Sequence, residues 1–143
     1  MFQSVSENNL IKKKDMSFGF KCEDIVLDKL QTFFNFDVKK THQYHQYDFI
    51  AKIDNKNIYI ELKSRRNTHN QYLDTMIPYN KIEYAINRPD DDFYFFFNFT
   101  DGLYYQKYSK DYNYNIRTAG RCDRGKNEFK KYGFILNNDL IKI

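Results

Sequence analysis

The chain contains no tryptophan, only two cysteines, and no apolar run approaching the length of a membrane span. Each shortage removes a class of protein. Cys22 and Cys122 stand far apart with no Cys-x-x-Cys pair, so neither a disulfide framework nor a cysteine-built zinc site is expected. His42 and His45 make a His-x-x-His pair, but no second ligand pair stands near it in the sequence. The amino terminus lacks the apolar core of a signal peptide. A reduced, cytoplasmic setting is the expectation.

What is present is one domain's length, 143 residues, with 13 Tyr and 14 Phe. That length supports one real core but not two. Asn, Lys, Ile, Tyr and Phe dominate, and all are drawn from AT-rich codons. Most of the tyrosines are therefore read as coding bias rather than as base-stacking groups. A small chain of this composition suits a phage, virus or mobile element. Twenty-three basic residues against 19 acidic ones give a formal charge of +4, which fits a polyanionic partner without requiring one.

Residues 47–63, YDFIAKIDNKNIYIELK, organise the rest. Tyr47 to Ile53 and Ile58 to Lys63 are rich in Ile, Phe and Tyr, which favour strands. Asp54 to Asn57 supply turn chemistry, because Asn and Asp tolerate positive φ. A loop of Asn55-Lys56, or of Asp54 to Asn57, pairs Ile53 with Ile58, Ile50 with Glu61 and Asp48 with Lys63. Side chains alternate along a strand. Asp48, Glu61 and Lys63 then share one face, while Ile58, Ile60 and Leu62 point the other way into a core. In that register Asp48 is diagonal to Glu61, about 7–8 Å away at Cα. Two carboxylates so placed can grip a divalent ion. A lysine beside them can orient or deprotonate a water, or neutralise charge developing on a phosphate. The alternative is a solvated strand face with a cross-strand Asp–Lys pair.

The pattern D-x12-E-x-K, carried by Asp48, Glu61 and Lys63, resembles the PD-(D/E)XK nuclease superfamily. Tyr47 stands where that superfamily usually has proline. The resemblance implies an α/β, restriction-endonuclease-like core: a mixed central β-sheet flanked by helices, in the order α-β-β-α-β-β-β. It implies Asp48, Glu61 and the Leu62 backbone carbonyl as metal ligands, Mg²⁺ as the cofactor with Mn²⁺ able to substitute, and DNA as the substrate. Hard oxygen ligands favour magnesium on chemical grounds as well.

The resemblance extends to the segment before the hairpin. Ser17 to Phe36 has the pattern of an amphipathic helix, with Phe20, Leu27, Leu30 and Phe34 in a stripe widened by Val26 and Phe33. Ser17 suits its N-cap. Glu23 falls in the middle of the stripe and Asp24 at its edge. A carboxylate on an apolar face needs a partner. Gly19-Phe20-Lys21-Cys22-Glu23 looks like the Gly-led first helix that presents a Glu in Holliday-junction-resolvase-like members. Glu23 is the expected fourth catalytic and metal-binding group, with Asp24 its rival and a salt-bridged surface Glu the alternative. Residues 1–16 form a polar arm ahead of a single nuclease domain over 17–143.

Candidate phosphate contacts follow from charge and position. Arg65 and Arg66 leave the second strand beside the proposed site, and arginine grips phosphate bidentately. His45 and Tyr47 are candidates at the rim. Met76-Ile77-Pro78 is read as the start of a second helix, on which Lys81 is the candidate contact. Asp90-Asp91-Asp92 is a solvated connection rather than a metal site. Phe93 to Phe99 is a strand buried on both faces, Thr100-Asp101-Gly102 turns the chain, and Leu103 to Tyr108 returns. Lys107 to Lys131 holds eight basic residues against three acidic ones, a surplus of five. It is read as a basic loop in which Arg117, Arg121, Arg124 and Lys126 contact DNA. Each cluster has a plain solvated-surface alternative. Tyr132 to Leu136 is a last strand, and Asn137 to Ile143 a short tail.

The expected activity is that of a magnesium-dependent endodeoxyribonuclease. The spacing of Glu23, Asp48 and Glu61-x-Lys63 is closest to archaeal-type Holliday junction resolvases, which implies a homodimer and a role in DNA recombination. Homing, restriction and repair nucleases of the same superfamily remain open, as do an RNA endonuclease and a non-catalytic nucleic-acid-binding module.

Overall fold

In the computed structural model, residues 25–121 and 128–143 are described, with the backbone alone for 120–121 and 128–129. The chain divides into two compact units, Met1–Val38 and Lys39–Ile143. The described part of the first is helix α1 over 25–34. Val26 and Leu30 on its predicted stripe are buried. Asn35, at φ 56°, takes the left-handed conformation that ends helices. The expected arm over 1–16 lies outside the described residues.

The following strands are β1 (Val38–Lys40), β2 (Phe49–Ile53), β3 (Lys56–Ser64) and β4 (Asp74–Pro78), then helix α2 (Tyr79–Ile86), then β5 (Asp92–Phe99), β6 (Gly102–Lys107), β7 (Ile116–Arg121), β8 (Glu128–Leu136) and, after a 3-10 turn at Asn137–Asp139, β9 (Ile141–Lys142). They make two sheets, one of six strands in the order β1-β2-β3-β5-β6-β9 and one of three in the order β4-β8-β7. The larger sheet is mixed: β3 and β5 run parallel, and their flanking pairs are antiparallel. Parallel neighbours need a long crossover, and here the crossover carries β4 and α2.

This order is richer in strand than α-β-β-α-β-β-β. Four segments account for the difference, the first being Val38–Lys40, which forms β1 ahead of the hairpin. Met76-Ile77-Pro78 does not begin a helix but ends β4, and α2 starts at Tyr79 with Pro78 extended at φ −57°, ψ 137°. Proline disfavours the helical conformation in the residue before it, so Ile77 stays in a strand. Proline lacks an N–H and is tolerated because β4 is an edge strand. The basic stretch expected as a loop supplies β7 and the first half of β8. The expected tail folds back as β9 against Tyr104 and Tyr105 of β6.

The hairpin exists, in a different register. Asp54 and Asn55, at φ 50° and 63°, form a two-residue turn with both central residues in the left-handed region. Ile53 therefore faces Lys56, and Ile50 faces Tyr59 rather than Glu61. The slip is two residues, and side chains alternate with period two, so every residue keeps its predicted face.

One core joins the two sheets through α2. Tyr59 of β3, Phe93, Phe95, Phe97 and Phe99 of β5, Ile82 and Ala85 of α2, Ile77 of β4 and Ile135 of β8 pack together with Tyr47 and Tyr114. Phe96 on the opposite face of β5 is also fully buried, as the unbroken aromatic run requires. Gly133 of β8 lies under α2: a Cβ there would collide with the Ile82 terminal methyl and press on Tyr114 and Ile116. Overpacking of this kind costs about 1–3 kcal/mol. Gly133→Ala should lower the urea unfolding midpoint accordingly, whereas an unchanged midpoint would show that α2 does not seat on β8 as described.

Candidate active site

The elements above bring four of the predicted charged residues to one place. Asp48 precedes β2 by one residue, Glu61 and Lys63 lie on β3, and Lys81 lies on the first turn of α2. Asp48 brackets Glu61. Its backbone N–H donates to the Ile60 carbonyl at 3.0 Å, and its Oδ2 accepts the Leu62 N–H at 2.8 Å. Asp48 thus lies against Glu61 and not across from Lys63. The closer approach is a consequence of the two-residue turn.

Glu61 is 2% exposed. Both ammonium groups meet the same oxygen, Oε2, at 3.4 Å from Lys63 and 3.5 Å from Lys81. The other oxygen, Oε1, is buried and has no hydrogen-bond partner among the described residues. Burial is the main reason the carboxyl is pushed up from 4.5 to about 8; the two lysines pull it down and the Asp48 carboxylate pushes it up. The site therefore holds a buried carboxylate whose ionised form is under-compensated. A charge in that condition calls for another cation.

Lys81 is 13% exposed and Lys63 is 32% exposed. Tyr47, at the usual proline position, is buried, so it is no contact for DNA. Its hydroxyl donates to the Lys81 carbonyl at 2.6 Å, and its ring lies 5.6 Å from Lys81 Nζ. Burial pushes the Tyr47 phenol far above its ordinary range, so it remains a donor. Nothing in the sequence pattern marks this role except the replacement of proline by a large aromatic residue. His45 accepts the Tyr47 N–H through Nδ1 and stacks on Tyr59, and His42 accepts the Tyr44 N–H. The two histidines are occupied by their own turn.

The remaining candidates divide. Arg65 continues the Glu61 and Lys63 face, but its guanidinium is largely buried and donates to the Met76 carbonyl at 3.0 Å. Burial lowers its pKa, and the Glu61 carboxylate counters that. It braces β3 against β4 and lies within the electrostatic reach of Glu61. Arg66 is exposed. Arg117 on β7 pairs with Asp74 at 2.8 Å and lies 3.6 Å over the Phe134 ring, which ties it into the smaller sheet. Asp92 is bridged by Lys56 and Lys107, and Asp91 accepts the Asn57 N–H, so the acidic run is a connection. Glu23, Asp24, Arg124 and Lys126 lie outside the described residues, as does the side chain of Arg121. Among the described residues, no three His, Cys, Asp or Glu side chains cluster as a metal site; Asp48 and Glu61 form a pair.

In chelator, the folded chain keeps the Glu61 proton to about pH 8, while the unfolded chain releases it near 4.5. The folded state binds the extra proton between those values, so stability falls as pH rises through that window and levels off above it. Denaturation at a series of pH values should show this slope in the parent and not in Glu61→Gln, whose stability relative to the parent rises toward pH 8. Equal slopes in the two proteins would contradict the buried, under-compensated carboxyl.

The family described as "Phage putative PDDEXK endonuclease" matches residues 16–132, a span that takes in Asp48, Glu61, Lys63 and Lys81. No curated protein and no solved structure matches the chain. No helix among the described residues is long and apolar enough to cross a membrane. The match covers well over half of the sequence, and the chain belongs to the phage PD-(D/E)XK endonuclease family.

Proposed function

We propose that the chain is a magnesium-dependent endonuclease that hydrolyses DNA phosphodiester bonds, with a preference for branched DNA. One observation carries the reading: buried Glu61 lies next to Asp48 with two lysines on Oε2, and its Oε1 has no partner among the described residues. The residues fit a hard divalent cation. Asp48, Glu61 and the Leu62 carbonyl would hold it, and Glu23 is the proposed further ligand. When bound, magnesium supplies a lowered pKa for water and positive charge opposite the phosphate and leaving oxygen. Its charge also relieves the under-compensated Glu61 carboxylate.

The chain's own groups do the rest. Glu61 and Asp48 would hold the cation, while Lys63 and Lys81 stay against Glu61 Oε2. Lys63, the more exposed of the two, positions the attacking water and offsets charge on the pentacovalent phosphorus. Lys81 approaches from α2 and adds a second positive charge to the phosphate site. Arg66, exposed beside β3, is the proposed arginine contact to the DNA backbone. Arg121, Arg124 and Lys126 belong to the proposed DNA-contacting stretch around the β7–β8 connection. Arg65 and Arg117 supply field rather than direct contact, because their guanidiniums are engaged.

The preference for branched DNA, and a homodimer that would cut two strands symmetrically, rest on the likeness in spacing to junction resolvases. The test compares a four-way junction with linear duplex of matched sequence and with RNA, in Mg²⁺ and in EDTA. Cleavage should require the metal and favour the junction. Asp48→Ala and Lys63→Ala should each lose on the order of 10²–10⁴-fold in rate. Metal-independent cleavage, or none by a folded parent that still binds DNA, would overturn the reading in favour of a binding module.

A further inference from the structure

The Glu61 site depends on a lysine that comes from another element. Lys81 rides on α2, whose first turn follows directly from β4, and α2 carries no side-chain N-cap hydrogen bond. Pro78 at the cap position offers no hydroxyl or carboxylate to take up the orphan N–H groups. The start of α2 must be fixed from below. Two contacts reach the first turn: the Tyr47 hydroxyl donates to the Lys81 carbonyl at 2.6 Å, and exposed Asn80 Nδ2 donates to Gln46 Oε1 at 3.3 Å; the first is the shorter and the less exposed one. A helical carbonyl has a second lone pair to accept it.

We propose that Tyr47 is a positioning residue that sets Lys81 against Glu61. This rests on the endonuclease reading of the site and adds a residue to it. Three observations on one side chain support the assignment. Tyr47 is buried between Tyr59, Tyr84, Phe93 and Phe95, so its ring has little freedom. Its hydroxyl takes the main chain of Lys81 and no other residue of α2. Its ring face lies 5.6 Å from the same lysine's ammonium, which ends 3.5 Å from Glu61. One side chain thus holds both ends of Lys81. Because Tyr47 is joined directly to Asp48, the same residue links the metal-binding carboxylate of the strand to the lysine of the helix. Proline at this position would offer neither the hydroxyl nor the ring.

The test uses Tyr47→Phe, which keeps the ring and removes the hydroxyl, together with Lys81→Met and the double variant. The first readout needs neither metal nor cleavage. Reaction of lysines with an amine-selective reagent, read by peptide mass spectrometry, should show Lys81 labelled at least fivefold faster in Tyr47→Phe, while Lys63 stays within twofold of the parent. The second readout is kinetic. Tyr47→Phe should lower kcat roughly 10- to 100-fold with KM changed less than about twofold, as expected when a catalytic group is misplaced. The double variant should be no slower than Lys81→Met alone. Unchanged Lys81 labelling would overturn the proposal, as would equal acceleration at Lys63 and Lys81, which signals general loosening. Losses that multiply in the double variant would also overturn it. A parent that cuts no nucleic acid would defeat the endonuclease reading, and the labelling result would still decide the role of Tyr47.

Discussion

A carboxylate buried on a sheet, with more positive charge on one oxygen than on the other, is the constraint around which this molecule is arranged. Glu61 lies within the main core of its unit, flanked by Tyr59 along β3 and by Phe95 on β5. Taking a carboxylate out of water is costly unless charge and hydrogen bonds replace the water. Here two lysines satisfy one oxygen, and among the described residues no hydrogen bond reaches the other. The crossover between β3 and β5 exists in a form that makes this possible. It runs through β4, turns at Pro78 and lays α2 across the sheet, which delivers Lys81 to a strand that already carries Lys63.

The arrangement also explains why a nuclease of this family tolerates Tyr47 where proline is usual. Tyr47, the residue before Asp48, lies just ahead of β2 and packs into a layer built of aromatic rings. A chain with 27 tyrosine and phenylalanine residues fills that layer with rings. The hydroxyl then finds a main-chain acceptor on α2, the Lys81 carbonyl. The compositional bias of the chain is in this way built into the site.

The meeting of Asp48, Glu61 and Lys63 is legible in the sequence, and the layer beside them is not. Asp48, Glu61 and Lys63 were found from alternation and spacing, and a two-residue error of register left their faces unchanged, because strands repeat every two residues. That error did misplace Asp48, which meets Glu61 rather than Lys63. Asp54 and Asn55 both accept positive φ, and nothing local distinguishes their turn from one beginning at Asn55. The smaller sheet was missed because its strands lack the apolar alternation of β3. β4 was hidden by a proline that reads equally well as a helix start, and β7 by the glycine and arginines that read as a loop. Alternation puts Glu61 on a polar face shared with Asp48 and Lys63; in the fold the carboxylate is buried and its proton affinity raised. Lys81 was noticed as a basic residue on α2, but its partner could not be, because that contact crosses two elements.

The central claim is that Asp48 and Glu61 together form the seat of a divalent cation. A crystal of the protein soaked in manganese, with anomalous scattering collected at the manganese edge, tests it most directly. The account predicts an anomalous peak within bonding distance of Glu61 Oε1 and the Asp48 carboxylate, lost in crystals of Glu61→Gln. A well-ordered site with no peak between those two carboxylates at millimolar manganese would contradict it.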